Sequence, residues 1–444
     1  MESHLEALEA RASEGAENSA VRRLRDGCLL AVVVLEAFYF LLETRGNGVA
    51  CTWIEVYAVI PTMLFLGTPV SGRLSRHAGR LLRISVGMIV WLFLAHTLRR
   101  IDGGDKQNIG AFVCAYGLCL PFAGVSRDGK RRLGLKLFLG LYMGLGVLMM
   151  VYGGMLLTGS VPAYLREYVR WDGTRLLEFL HPNFCATYFM ISIFACLVCC
   201  LKTKKHWLRG VLIVWAGAQF AMMALTNGRT TIAFTCFLVG ACLFFVWKKA
   251  GWKRMAIAAL AAVAVMAGLF VGSQKITGFH KTEAAAVQTE TKRNNPQGSW
   301  DHDLKSLNGR TEIWSSAAKG LRDNPKIYLE GTDYTGLILS QYNRFAVQHT
   351  HNSWLETLYQ LGLPALLGAL ALTVLALYDA AAVLRRSTDP VQSCTAILVL
   401  CLLGCAVLEP YLFTGDLGYH APNFLFMLCL GYLDTWRAAL RGEE

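Results

Sequence analysis

Apolar runs about 20 residues long, separated by short stretches that carry charges, recur along nearly the whole chain. A run of that length crosses the hydrocarbon core of a bilayer as a helix. About twelve can be drawn, near residues 28–42, 49–70, 81–98, 109–125, 134–157, 183–201, 208–226, 230–247, 254–272, 353–384, 393–411 and 419–436. Between 273 and 352 the pattern breaks, and Lys, Arg, Glu, Asn, Gln and Thr take over for much longer than a turn requires. The pattern predicts an all-α polytopic membrane protein. A cytoplasmic leader covers 1–27, the first part of the bundle, about nine helices, covers 28–272, and a large extracytoplasmic loop covers 273–352. The last three helices cover 353–438 and a cytoplasmic tail covers 439–444.

Shorter periodicities refine this outline. Val161, Tyr164, Leu165, Tyr168, Val169 and Leu176 alternate with charges at helical spacing, which predicts an amphipathic segment lying on the membrane interface before His181-Pro182-Asn183 opens the next helix. Residues 279–303 hold few apolar anchors, and this composition predicts a mobile insert. After it, Ile313, Trp314, Ala317, Ala318 and Leu321 share a face of a short helix that starts at Arg310 and stops before Asn324-Pro325. Ser353-Trp354-Leu355-Glu356 reads as a capping box that places His351 just ahead of a helix start, and Pro364 is expected to kink that helix.

Composition agrees with the pattern. Hydrophobic residues make up 54% of the chain and charged ones 17%, against about 25% charged in soluble domains. The formal charge of +12 suggests nucleic acid until its placement is considered. Arg73, Arg76, Arg80, Lys202, Lys204, Lys205, Arg209, Lys248, Lys249, Arg385 and Arg386 all fall in loops that alternate to one side, so the basic excess is a topology signal that puts both termini in the cytoplasm. The first apolar run follows a charged leader and has no small-residue cleavage site, so it reads as a retained helix. The 14 cysteines lie almost entirely in apolar runs and the loop has none, which suits small core residues and supplies no disulfide frame.

On this topology Arg229, Arg310, His351 and His181 share the extracytoplasmic side. Arg229 at the start of an apolar helix either snorkels to headgroups or meets an anion. Two guanidinium forks can hold a diphosphate, and an imidazole can take a proton from a hydroxyl. The plainer readings stand beside these: Arg310 pairs with Glu312, His349 is an exposed interfacial residue, and His181-Pro182-Asn183 is a helix start. Glu409, beside Pro410, either orders an Arg or is ordinary interface. No carboxylate or Cys completes a metal set with the histidines at ligand spacing.

Asn227-Gly228-Arg229-Thr230, Gly309-Arg310 followed by Trp314, and His351-Asn352-Ser353-Trp354-Leu355-Glu356 leading to Gly362 together resemble the O-antigen ligase and O-antigen polymerase superfamily. The likeness is strongest from about Asn227 to Gly368, and the Pro182-Asn183 helix start resembles that family too. The resemblance implies a GT-C-like glycosyltransferase in the bacterial cytoplasmic membrane, inverting and independent of metal and cofactor, with its active site extracytoplasmic. It implies a polyprenyl-diphosphate-linked glycan donor and a lipid or glycan acceptor, with membrane lipids around it and no nucleic-acid partner. Arg229, Arg310 and His351 would be catalytic, and Asn352, Asn183, His181, Trp314 and Glu409 would bind substrate. A polysaccharide polymerase of the same superfamily is the alternative to a ligase. Outside the class, a transporter or flippase of a lipid-linked anion would use the same arginines.

Overall fold

The computed structural model describes residues 132–162, 182–226, 228–246, 309–332, 335–343, 349–413 and 420–441, with scattered positions in 23–38, 83–94 and 264–272. All regular structure among them is helical. In chain order the helices are α1 (Leu133–Leu157), α2 (Pro182–Lys202), α3 (His206–Leu225), α4 (Arg229–Val246), α5 (Arg310–Asp323), α6 (Ile327–Glu330), α7 (Thr335–Tyr342), α8 (Ser353–Arg386), α9 (Pro390–Leu408) and α10 (His420–Arg441). Each expected apolar run within the described residues is occupied by a helix. The runs at 49–70 and 109–125, residues 163–180, and the insert at 279–303 lie outside the described residues.

Among the described helices five are long and apolar enough to cross a membrane, namely α1, α2, α3, α8 and α9; α4 is apolar but shorter. Helix α9 is the axis of the bundle and packs against α2, α4, α8 and α10. Ile397, Leu398, Cys401, Leu402 and Cys405 on different faces of it are all buried, as an all-round apolar sequence demands. The outer faces of α3 and α8 stay apolar where a bilayer would cover them, with Ile213, Val214, Leu367 and Val374 each more than half exposed. Among the described residues no cysteine forms a disulfide, and all of them lie within helices.

Small residues allow the closest approaches. A Cβ on Gly146 of α1 would lie 2.3 Å from Ser192 Oγ and 2.8 Å from Gln219 Oε1, so α1 meets α2 and α3 nearly backbone to side chain. In lipid, where apolar burial no longer drives helices together, such contacts carry the packing.

The end of the bundle formed by the start of α2, the end of α3, the starts of α4 and α8 and the end of α9 carries the site described below; the opposite end is basic and paired. There Arg132 forms an ion pair with Asp389 and lies 5.1 Å from the Trp436 ring. Burial on its own would raise the Asp389 carboxyl, but the Arg132 bond and the Val391 N–H (2.8 Å) outweigh it and hold the group below its ordinary value. Asp389 also caps α9, and Pro390 opens it, which moves the start of this helix ahead of the apolar run expected at 393. Nearer the middle, Arg437 of α10 bonds Asp379 of α8 (2.8 Å) and Asp434 (2.9 Å), all three almost wholly buried. Two carboxylates against one guanidinium lock α8 to α10, and α10 continues to Arg441 past the expected end at 436.

The polar excursion forms a small helical cap. Ile313, Ala317, Leu321, Ile327 and Leu339 make an apolar cluster with Leu358 and Tyr359 of α8. The buried face of α5 is rotated from the one expected: Ser316 and Gly320 are buried and Ala318 is exposed. The Tyr342 hydroxyl donates to Asp323 (2.8 Å), tying α7 to the end of α5; that bond and Arg322 hold the Asp323 carboxyl below its usual range.

The break in α8 seats this cap. The kink expected at Pro364 is centred two residues earlier, at Gly362, whose φ is +81°. Its α-carbon abuts α6: a Cβ there would stand 2.4 Å from the Leu329 carbonyl oxygen, and one on Gly331, just after α6, 2.3 Å from that of Gln360. Carbonyls released by the break find donors, with Thr332 N–H on Tyr359 O (2.6 Å) and Trp91 Nε1–H on Leu361 O (2.9 Å). From Leu363 to Arg386, at about 1.5 Å per residue, the helix still spans a core of about 30 Å. Gly362→Ala is expected to cost at least about 1–2 kcal/mol from the left-handed backbone alone, with the backbone clash added to it. A lowered thermal midpoint in detergent checks this, and an unchanged one overturns the account of the break.

Candidate active site

The site is built on Glu409, the residue that ends α9. Pro410 disfavours helical dihedrals in the residue before it, and Glu409 is accordingly extended (φ −148°, ψ 149°). Its backbone is clamped: Ser353 Oγ–H and the Tyr411 N–H donate to its carbonyl (both 2.9 Å), and Leu412 N–H donates to Ser353 Oγ (3.0 Å). The side chain, 1% exposed, therefore points to one place.

Three elements converge on that carboxylate. From α2, Asn183 Nδ2–H donates to Oε1 (2.7 Å). From α5, Arg310 Nη2–H donates to the same oxygen, while Arg310 Nε–H takes the carbonyl of Leu408 (2.8 Å), one of the carbonyls that the end of α9 leaves open. From the turn before α8, His351 Nδ1 lies 3.1 Å from Oε2. A carboxylate only accepts, so Nδ1 carries the proton and a neutral ring keeps its lone pair on Nε2. Glu409 thus fixes the His351 tautomer and offsets the Arg310 charge.

Arg310 is 9% exposed and opens α5 just after Gly309, whose φ is +81°. Its carboxylate partner is Glu409, and Glu312, the neighbour expected to pair with it, is exposed. Arg229 opens α4 and is half-buried. The residue before it, Gly228, lies against α2: a Cβ there would stand 2.7 Å from Ala186 Cβ and 3.7 Å from Asn183 Oδ1. The start of α4 is therefore one side chain away from the carboxylate that holds Arg310 and His351. Tyr411 strengthens this seam by donating its hydroxyl to the Asn183 carbonyl (2.9 Å); burial, with Glu409 nearby, pushes the phenol well up, so it stays a neutral donor.

The turn that presents His351 is held by hydrogen bonds from both sides. His351 has a left-handed backbone (φ +51°). Asn352 caps α8, accepting from Leu355 N–H (2.9 Å), and donates Nδ2–H to the Val407 carbonyl (2.9 Å). The cap expected of Ser353 thus falls to Asn352. Ser353 instead holds Glu409, and Glu356 reaches back to Thr350. Trp314 Nε1–H donates to the Thr350 carbonyl (3.0 Å), so the indole braces the same turn. Asn352 and Trp314, expected to bind substrate, both spend polar atoms on this scaffold.

Of the sequence-derived residues, Arg310, His351, Asn183 and Glu409 are brought into direct contact, and Arg229 stands one residue from that group. His181 and Asn227 lie outside the described residues. His349 is half-buried two positions before His351. Sequence reasoning missed the supporting set Thr350, Ser353, Glu356 and Tyr411; the signals available were the Glu-Pro pair at a helix end and the polar residue on each side of His351. Among the described residues no three His, Cys, Asp or Glu side chains gather as a metal-ligand group.

This order of Arg at a helix start, Gly-Arg, and His-Asn leading to a Gly-broken helix is found where a family model matches. Residues 212–370 match the O-antigen ligase family. The O-antigen ligase domain so defined contains Arg229, Arg310, Trp314, His351, Asn352 and Glu356, whereas Asn183 and Glu409 reach the site from outside it. Compared with curated proteins, the chain matches none. The match over residues 212–370, together with helices apolar enough to cross a membrane, supports a membrane-embedded glycosyltransferase of the ligase or polymerase type. For that family the substrates are in general a lipid-linked glycan and a polysaccharide or lipid acceptor.

Proposed function

We propose that the protein transfers a glycan from a polyprenyl diphosphate carrier to an acceptor hydroxyl at the outer leaflet of the bacterial cytoplasmic membrane, acting as an O-antigen ligase. The observation that carries this reading is Glu409 joining Arg310 to His351 at one end of the bundle, beside the start of α4 that Arg229 opens. His351 Nε2 takes the proton of the acceptor hydroxyl as its oxygen bonds the anomeric carbon. The bond from that carbon to the diphosphate breaks, and the diphosphate leaves with the electron pair. One displacement inverts the carbon, and no enzyme carboxylate forms a covalent intermediate. Glu409 then faces an imidazolium and stabilises it. Charge grows on the leaving diphosphate, where preorganised donors are worth most. A guanidinium has five N–H donors in a fork, so Arg310 serves Glu409 and an oxyanion together, with Arg229 as the second fork. Two arginines at this end of the bundle supply the positive charge that a diphosphate requires.

The basic end opposite the site supports cytoplasmic termini and an extracytoplasmic site. A transporter would need buried charge along a path. The Asp379–Arg437–Asp434 group is buried charge, but its members are ion-paired with one another and join α8 to α10, which fits a brace.

The test uses cells with and without the protein. Loss of the protein is expected to build up lipid-linked glycan, as long chains for a ligase and as single repeats for a polymerase. His351→Ala is expected to reproduce that build-up with the protein still at its normal level in the membrane, at a loss of about 10²–10⁴-fold in transfer. An unchanged lipid-linked pool in cells lacking the protein would overturn the reading.

A further inference from the structure

His351 adopts a left-handed backbone that residues with a Cβ enter at a cost, and it does so next to a helix start (φ +51°). Something must hold it there. Thr350, fully buried, is gripped on both sides of its peptide plane: Trp314 takes its carbonyl (3.0 Å), and Glu356 Oε2 takes both its N–H (2.7 Å) and its hydroxyl (2.8 Å). Glu356 is 1% exposed, and its other oxygen accepts from Gln360 Nε2 (2.9 Å). An acid in the first turn of a helix is favoured by the helix dipole in any case. This one does more, because its carboxylate leaves the helix and binds the residue immediately before His351.

We propose that Glu356 is a positioning residue for His351, acting through Thr350 to hold the left-handed turn in which His351 Nδ1 meets Glu409. The inference rests on the catalytic reading of His351 for its effect on transfer, but its structural half can be read without any reaction. Glu356 touches no reacting atom. Without it the Thr350 N–H loses its acceptor and the hydroxyl keeps only the Asn352 carbonyl (3.1 Å), the turn relaxes toward ordinary dihedrals, and the imidazole leaves Glu409.

The experiment follows the His351 ring by ¹⁵N-histidine NMR of the full-length protein in lipid nanodiscs at alkaline pH, its signal assigned by disappearance in His351→Ala. The wild type is expected to show the Nδ1–H tautomer, and Glu356→Ala to lose it in favour of Nε2–H or a mixture. Transfer in cells should fall about 10–100-fold with normal accumulation of the protein. Glu356→Gln, which keeps a carbonyl acceptor for Thr350, should recover most of both. In a His351→Ala background Glu356→Ala should remove nothing more, as expected of a residue that acts only through the histidine. Where Glu356→Ala does not accumulate, Thr350→Val, which removes the hydroxyl bond, should shift the tautomer in the same direction. An unchanged tautomer, or losses that multiply in the double variant, overturns the proposal. A shifted tautomer with undiminished transfer leaves the positioning role intact and takes the reaction away from His351.

Discussion

Glu409→Gln is expected to reduce glycan transfer about 10²–10⁴-fold, the range of a lost general base, and to destabilise the protein as well. The carboxylate accepts from Asn183, Arg310 and His351 at once, and it does so almost without solvent. An amide presents one acceptor and two donors. Whichever way it turns, its NH₂ faces Arg310 or His351 Nδ1–H, and the buried guanidinium loses the carboxylate charge of Glu409. Breaking one side of a buried pair costs about 3–5 kcal/mol. The contrast with His351→Ala is diagnostic, because that change removes the proposed base and leaves the Arg310–Glu409 pair. Glu409→Gln should therefore lower both transfer and thermal midpoint, and His351→Ala transfer alone. Transfer at the wild-type rate in Glu409→Gln, measured by the lipid-linked glycan pool, would remove Glu409 from the machinery.

Arg310→Lys keeps the charge and is nevertheless expected to cost about 10²–10³-fold in transfer, the range for losing one preorganised donor to a developing oxyanion. Arg310 serves the Leu408 carbonyl through Nε and Glu409 through Nη2, and the plane of the fork sets both contacts. A lysine ammonium is a point charge on a flexible stem. It can meet Glu409, but it cannot also reach the end of α9 and two phosphate oxygens in fixed directions. The accumulation of the protein should be near normal, since the ion pair persists. Arg229→Lys should act in the same direction. Full activity in both would remove the two-fork grip on diphosphate.

Much of this architecture could be read from composition and period. Apolar runs located helices because a bilayer enforces long stretches without charge, and α2, α3, α4 and α8 begin within a few residues of the positions so drawn. Helix ends were less legible wherever local chemistry overrode hydropathy. Asp389 and Pro390 start α9 early, and Glu409 before Pro410 ends it early. The kink was assigned to Pro364, the stronger local signal, but it sits at Gly362 because another backbone, at Leu329, comes too close there for any Cβ. Asp379 meets Asp434 and Arg437 only because α8 and α10 come together, which nothing in the local sequence shows.

The amino-acid order alone made this a many-helix membrane protein with its chemistry confined to loops and helix starts, and it singled out Arg229, Arg310 and His351. Those conclusions need only local quantities: residue polarity, helical period and the cost of charge in hydrocarbon. Packing chose the partners. That Arg310 turns to Glu409 and not to Glu312, that Asn352 caps while Ser353 clamps, and that Glu356 grips Thr350 all depend on residues from 3 to 99 positions apart meeting in space. A carboxylate's role is set by which donors reach it, and helices distant in the chain supply those donors.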